Sequence, residues 1–445
     1  MTTPAEETTL SDELEQSYVE STPRSRELAE RARNVMPGGD TRSVTYFRPY
    51  PSYVESAHGA QLETVDGETL LDVLNNYTQS VLGHAPEPVV DDVCSRFRAG
   101  NGVAAPTEPA VALAEELVGR VPSVEQVRFC NSGTEATMNA IRAAMAWTEN
   151  ERICKITGGY HGTHDVVEVG VADDGREHTG IPRTAEQRVQ TVSYNDTEQL
   201  KATFEAVGDE LACLILEPIL GVGGMIPATD EFLQTARDLT AETDTPLIFD
   251  EVMSFRLAPG GAQQRRGIEP DLTAFGKLIG GGLPVGAVGG RADLMAQFHP
   301  ETGSVDHSGT FNANPATMAG GVATLRELDA DAIETLNQQG ADLRTRLQEI
   351  GDDADQPITI TGEGSLFQIH FTDEPVRDLA SSSAGNPASE QLFHEMRREG
   401  VFIAPRGMGN LSTPMTGSDL DQIATAFDRA LESLGYSSHC KSLHT

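Results

Sequence analysis

Leu272-Thr273-Ala274-Phe275-Gly276-Lys277-Leu278-Ile279-Gly280-Gly281-Gly282-Leu283-Pro284-Val285-Gly286 decides how the chain is read. A short apolar run suited to a buried strand ends at Gly276, and a lysine and a glycine-rich turn follow. A lysine desolvated at such a strand end has a lowered pKa, which makes its amine a nucleophile able to form a Schiff base with a carbonyl. The other reading is a lysine that caps the strand end or pairs with a carboxylate. Rarity makes the position informative, because only four of the 32 basic residues are lysine: Lys155, Lys201, Lys277 and Lys441. Lys155, inside an apolar run, and Lys201, at a helix start, carry less of this signature.

Outward from Lys277, between about residues 77 and 328, short apolar runs alternate with helical stretches. This pattern predicts an α/β domain with a mostly parallel sheet. The runs are 127–130, 153–156, 211–216, 246–249, 272–275 and 285–288. Ligands in such sheets bind beyond the carboxyl ends of the strands. Those positions hold Asn131-Ser132-Gly133-Thr134, Gly158-Gly159-Tyr160-His161, Glu217-Pro218, Asp250-Glu251 and Gly276-Lys277.

Asp250 ends the run before the lysine strand. On one sheet edge, a carboxylate and a Schiff-base lysine can address opposite sides of one planar cofactor. Pyridoxal phosphate requires that arrangement, with the acid holding its ring nitrogen protonated so that the ring accepts electrons. Asp250 also reads as an N-cap or a magnesium ligand. Ser132-Gly133-Thr134-Glu135 opens a helix and offers backbone amides, hydroxyls and a positive helix end to a phosphate, or is an ordinary capping box. Tyr160, behind two glycines, can approach a flat ligand or fill a core with its hydroxyl satisfied. His161 and His164 lack a third ligand at a recognisable spacing, so no metal is expected.

The flanks are less regular. Residues 1–24 read as an acidic disordered arm, 25–76 as the N-terminal segment of a small domain, 77–328 as the large cofactor-binding domain, 329–436 as the C-terminal part of the small domain and 437–445 as a tail. A hairpin is expected over 60–65 and 70–73, turning at Asp66-Gly67.

The 445 residues carry 68 acidic and 32 basic groups, a net charge of −36. Such a surface repels phosphate backbones and anionic lipid, which argues against nucleic-acid and membrane-surface partners. Lysine-poor acidity resembles proteins adapted to molar salt, where a Debye length of about 3 Å screens self-repulsion. No apolar run of about 18 residues is present, and the first twenty residues hold six acids and no base, unlike a signal or transit peptide. Five cysteines form no CxxC pair, in keeping with a reducing cytoplasm.

In this order, Asn131-Ser-Gly-Thr-Glu-Ala136, Gly158-Gly-Tyr-His-Gly162, Glu217-Pro218, Asp250-Glu-Val252 and Gly276-Lys277 resemble the class III aminotransferases of fold type I, over most of the chain from about Pro37. Within that class, residues 131–137, Ala258-Pro259-Gly260-Gly261-Ala262-Gln263 and 280–286 look like the glutamate-1-semialdehyde aminomutase group. The resemblance implies a pyridoxal 5'-phosphate enzyme with a large domain on a mostly parallel sheet and a small α/β domain built from both chain ends. It implies that Lys277 carries the cofactor and moves the proton, Asp250 pairs with the ring nitrogen, Val252 packs under the ring and Tyr160 stacks above it. Ser132, Gly133 and Thr134 would line the phosphate site, and Glu217 would join the cofactor-binding set. Thr310, in Ser308-Gly309-Thr310-Phe311, matches a residue that reaches the phosphate from a partner subunit, which implies a homodimer.

Departures bear on the substrate. The aminomutases carry an asparagine after the Glu-Pro motif, where this chain has Gly221-Val222-Gly223, and a C-terminal carboxylate where it has Ala404-Pro405-Arg406-Gly407-Met408. Thr41-Arg42-Ser43, Arg256-Leu257-Ala258-Pro259, residues 307–312 and Pro405-Arg406-Gly407 look instead like the β-amino acid aminotransferases. By that similarity Arg42 and Arg406 bind substrate carboxylates, as planar guanidinium groups suit; either could instead form a surface pair with the abundant acids. The expected function is amino transfer from a carboxylate-bearing donor, a β-amino acid, to a keto acid such as 2-oxoglutarate. The alternative is the aminomutase, which forms 5-aminolevulinate from glutamate 1-semialdehyde.

Overall fold

A computed structural model describes residues 10–171, 180–382 and 387–436. Its centre is a seven-stranded sheet, ordered Gln126–Cys130, Gly286–Gly290, Leu272–Gly276, Leu247–Asp250, Leu211–Leu216, Arg152–Ile156 and Val189–Val192. Only Gly286–Gly290 runs antiparallel to its neighbours; the remaining pairs are parallel. Leu211–Leu216 and Leu247–Asp250 are buried at every position, as strands covered on both faces must be, which explains why they read as continuous apolar runs rather than alternating ones. Val189–Val192 escapes sequence reading because its pattern, half-open and with Gln190 outward, lies at the sheet's edge.

The two ends of the chain share a smaller sheet. The expected hairpin forms between Gln61–Thr64 and Thr69–Asp72, and Val401–Phe402 adds to it in parallel, with Val401 opposite Leu71 and Phe402 opposite Asp72. The amphipathic helices Ala330–Asp353, Pro387–Arg398 and Gly417–Ser433 cover this region. They bury Leu336, Leu343, Phe393 and Phe427 in one continuous core with Leu71 and Val401.

One expectation fails. Beyond residue 9 the acidic arm is not a solvated coil: Asp12–Ser21 is a helix capped by Ser11, and Pro23–Arg33 follows it. Two apolar side chains suffice to dock the first helix. Leu14 and Tyr18 are buried, and Tyr18 meets Phe47 edge-on at 5.8 Å, Tyr50 at 5.2 Å and the Arg397 guanidinium at 4.7 Å. Residues 1–9 and the tail 437–445 lie outside the described residues, as does Cys440. Cys130, Cys154 and Cys213 are free and buried, and Cys94 is free and exposed.

Candidate functional site

Adjacent parallel strands bring the two central residues together. Asp250 is the last residue of its strand and lies in register with Ala274, so Asp250 and Lys277 leave neighbouring strands at the same sheet edge. Lys277 turns out of its strand with φ of 50°, a left-handed conformation that costs a non-glycine residue energy and is typical of a functional constraint. The residue as a whole is half-buried. Burial lowers its amine below the usual lysine value, against the pull of Asp250 and Glu217 and with the help of Arg256 and Arg42.

Asp250 is 5 % exposed. One carboxylate oxygen accepts from the Val252 N–H at 3.0 Å and the other bonds His161 Nδ1 at 2.9 Å. His161 is 1 % exposed, and burial lowers its pKa against the opposing pull of Asp250; a carboxylate only accepts, so it is the Nδ1–H that donates to Asp250. Its buried Nε2 has no hydrogen-bond partner among the described residues. Sequence reading weighed His161 only as a metal ligand and missed this role; its place directly after Tyr160 at a strand end was the available signal. Among the described residues no three His, Cys, Asp or Glu side chains converge as a metal site.

Val252 forms a ledge beside Asp250. A Cβ on Gly133 or on Gly276 would come within 3.2 Å of its methyl groups, so the valine fills the space between the lysine strand and the helix Gly133–Thr148. That helix points its first turn at the same edge, where the N–H groups of Gly133 and Thr134 have no helical acceptors of their own. Ser132 Oγ is already engaged as the cap, accepting from Glu135 N at 3.1 Å. The capping alternative therefore describes Ser132's side chain, while the amides that follow stay available. Thr134 Oγ1 accepts from Thr163 N at 3.3 Å, and a Cβ on Gly162 would sit 2.3 Å from that oxygen, so only glycine permits this approach.

Tyr160 is 41 % exposed at the edge of the cleft. Its amide donates to Glu217 Oε1 at 3.0 Å, and Gly221 N donates to the other oxygen at 3.2 Å. Burial and the neighbouring Asp250 push the Glu217 carboxyl well above its usual range.

At the cleft mouth Asn75, Asn76, Tyr77 and Thr78 all have positive φ, 48°, 48°, 55° and 77°, a turn of left-handed backbone that L-residues rarely adopt. It is held from outside. Asp72 Oδ1 accepts from the amides of Leu74 and Asn75, both at 2.9 Å, and Asn75 Nδ2 donates to the Asn410 carbonyl at 2.8 Å. On this turn Arg42 donates to Asn76 Oδ1 at 2.7 Å and lies 5.6 Å over the Tyr77 ring. Arg406 is exposed, and it acts electrostatically on the Tyr77 hydroxyl together with Arg42. Neither arginine forms the surface acid pair offered as an alternative among the ion pairs of the described residues. Thr310 is exposed, on a loop tied to the turn before the helix Gly133–Thr148, where Asn131 Nδ2 donates to Asn312 Oδ1 at 2.7 Å.

The class-III aminotransferase family model matches residues 45–431. A glutamate-1-semialdehyde 2,1-aminomutase from Methanothermobacter thermautotrophicus is 42% identical over 387 residues, 86% of this chain and 92% of that protein. Among solved structures, an ω-transaminase from Sphaerobacter thermophilus is 40% identical and superposes with a TM-score of 0.89, covering 92% of this chain and 97% of its own. A β-phenylalanine aminotransferase from Variovorax paradoxus is 34% identical with a TM-score of 0.90, covering 95% and 97%.

Proposed function

Because the chain belongs to the class III aminotransferases, enzymes dependent on pyridoxal phosphate, we propose that it moves an amino group from a carboxylate-bearing donor, a β-amino acid, to a keto acid such as 2-oxoglutarate. The observation that carries the chemistry is the exit of Lys277 and Asp250 from adjacent strands at one edge, above a valine ledge and beside a helix N-terminus. These residues fit the cofactor: Gly133 and Thr134 amides suit its phosphate, Val252 and Tyr160 its two faces, Asp250 its ring nitrogen and Lys277 its aldehyde. Bound there, the cofactor supplies an electron sink that makes a proton on the substrate carbon removable.

The chain's own groups do the rest. Lys277, its amine pKa lowered by burial, takes the proton from the substrate carbon and returns it on the far side of the transfer. Asp250 holds a fixed negative charge in place because His161 and the Val252 amide orient its two oxygens. Arg42, steadied by Asn76 and Tyr77, and Arg406 offer guanidinium groups to the carboxylates of the two substrates in turn. A homodimer, with Thr310 of each subunit reaching the other's phosphate site, is part of this reading.

The aminomutase reading has the stronger support from the sequence relatives, since proteins of that name match at 36% to 42% identity over most of the chain. What favours transfer between two molecules is the Arg42–Tyr77–Arg406 mouth, together with the 40%-identical transaminase structure. Incubation with glutamate 1-semialdehyde alone decides between them. Rapid 5-aminolevulinate without an added acceptor would establish the aminomutase; turnover that needs both a β-amino acid and 2-oxoglutarate supports the transaminase.

A further inference from the structure

Lys155 is fully buried in the strand Arg152–Ile156, apart from the reacting lysine. Its Nζ donates to three main-chain carbonyls: Gly159 at 3.0 Å, Val167 at 2.6 Å and Val169 at 2.7 Å. An ammonium has three N–H donors, so three acceptors satisfy it completely; a neutral amine would leave a lone pair facing a carbonyl oxygen. Burying such a cation is costly without compensation. Burial does push its pKa down to about 7, while the charges of Glu217 and Glu168 oppose the shift.

The geometry points beyond a buried charge that is merely satisfied. The Gly159 carbonyl and the Tyr160 N–H belong to one peptide unit. Lys155 holds the carbonyl end, and the buried carboxyl group of Glu217 holds the N–H end at 3.0 Å. The lysine and the carboxyl group thus hold a single peptide plane from its two ends, the carbonyl accepting from Lys155 and the N–H donating to Glu217. The other two Lys155 acceptors, Val167 and Val169, flank the end of the short helix Asp165–Glu168, so the same ammonium ties the returning chain to the turn.

We propose that Lys155 and Glu217 are positioning residues that clamp the Gly159–Tyr160 peptide from its two ends, fixing the angle of the Tyr160 ring and the approach of His161 to Asp250. The clamp gives the exposed Tyr160 ring a fixed base, where among the described residues no hydrogen bond holds its hydroxyl. It also explains why a chain with only four lysines spends one on a strand interior. The inference rests on the reading of Tyr160 and Asp250 as cofactor-facing residues.

The test is residue-resolved amide hydrogen exchange on the full-length protein at molar salt, comparing the native chain with Lys155→Met and Lys155→Gln. The Tyr160 amide should exchange about tenfold faster in Lys155→Met, the scale of one lost charge-assisted hydrogen bond, while amides of the strand Leu247–Asp250 keep their protection. With pyridoxal phosphate added, the absorbance band should persist and its induced circular dichroism should fall. Lys155→Gln keeps amide donors without the charge, and it is read in the same way if Lys155→Met does not fold. Unchanged Tyr160 exchange in a folded variant would overturn the clamp, as would acceleration spread evenly over the sheet. A native protein with no cofactor band would instead overturn the functional reading, and the exchange result would still decide the clamp.

Discussion

Arg256 offers a sharp test of how the cleft is braced. It is 0 % exposed and donates to four neutral acceptors: Ser365 Oγ at 3.0 Å, Asn410 Oδ1 at 2.9 Å, the Thr78 carbonyl at 3.4 Å and the Leu411 carbonyl. These lie on three separated stretches, so one guanidinium joins the strained turn after Asn75 to the C-terminal segment. Arg256→Met fills a similar volume and leaves all four acceptors buried without a donor. Asn410 cannot turn its amide to help, because its Nδ2 already donates to Leu74 at 2.7 Å. At roughly 1 kcal/mol or more for each orphaned group, less the desolvation recovered by removing a buried cation, the loss is about 3–5 kcal/mol. Arg256→Lys should fare little better, since an ammonium cannot span a fork of acceptors. The measurement is denaturant unfolding at fixed molar salt, followed by tryptophan and far-ultraviolet signals together. Arg256 also helps depress the Lys277 amine, so the pH at which activity rises should move upward in the folded variant. A loss below about 1 kcal/mol would mean that water or a neighbour re-pairs the four acceptors, and the bracing argument would fail.

Three further outcomes are expected. His161→Leu removes the Nδ1 donor from buried Asp250 and should lower kcat/KM by about 10- to 100-fold, the worth of a hydrogen bond to a charged group; steady-state kinetics showing less than a twofold change would refute that role. His164, His370 and His394 are each pushed down by burial to about 4. A lowered histidine pKa means that the unfolded chain binds more protons between about pH 4 and pH 6.5, so this stability is present above that window and drains as pH falls through it. Melting temperature at molar salt, where carboxylate repulsion is screened, should drop from pH 7 to pH 5, and a flat profile would count against it. Finally, a net charge of −36 surrounds a site that offers Arg42, Arg406 and Lys277 to anionic substrates. Catalytic efficiency should rise with salt as long-range repulsion is screened, and a flat or falling profile on protein verified as folded would sink that account.

What the sequence disclosed and what it hid divide along a physical line. Strand ends were legible because buried parallel strands announce themselves as short apolar runs, and the residue after each run is fixed by chain connectivity alone. Lys277 and Asp250 therefore stand out in the sequence itself. Partners set by tertiary approach were not legible: the His161–Asp250 bond joins residues 89 positions apart, and the neutral cage around Arg256 draws on residues 109 to 178 positions away. The helix Asp12–Ser21 was hidden for another reason. Its surface is acidic, and the two inward residues that dock it give no stronger signal than a solvated arm would.

The pairing of Val401–Phe402 with Leu71 and Asp72 also sets a clock for synthesis. The hairpin edge at Thr69–Asp72 leaves the ribosome about 330 residues before the strand that covers it, a delay of roughly 15–65 s at ordinary elongation rates. Through that interval the edge presents unpaired amides and carbonyls, an invitation to pair with a neighbouring chain. Glu63 and Glu68 beside it, in a strongly acidic nascent chain, supply like-charge repulsion between copies until the C-terminal strand arrives.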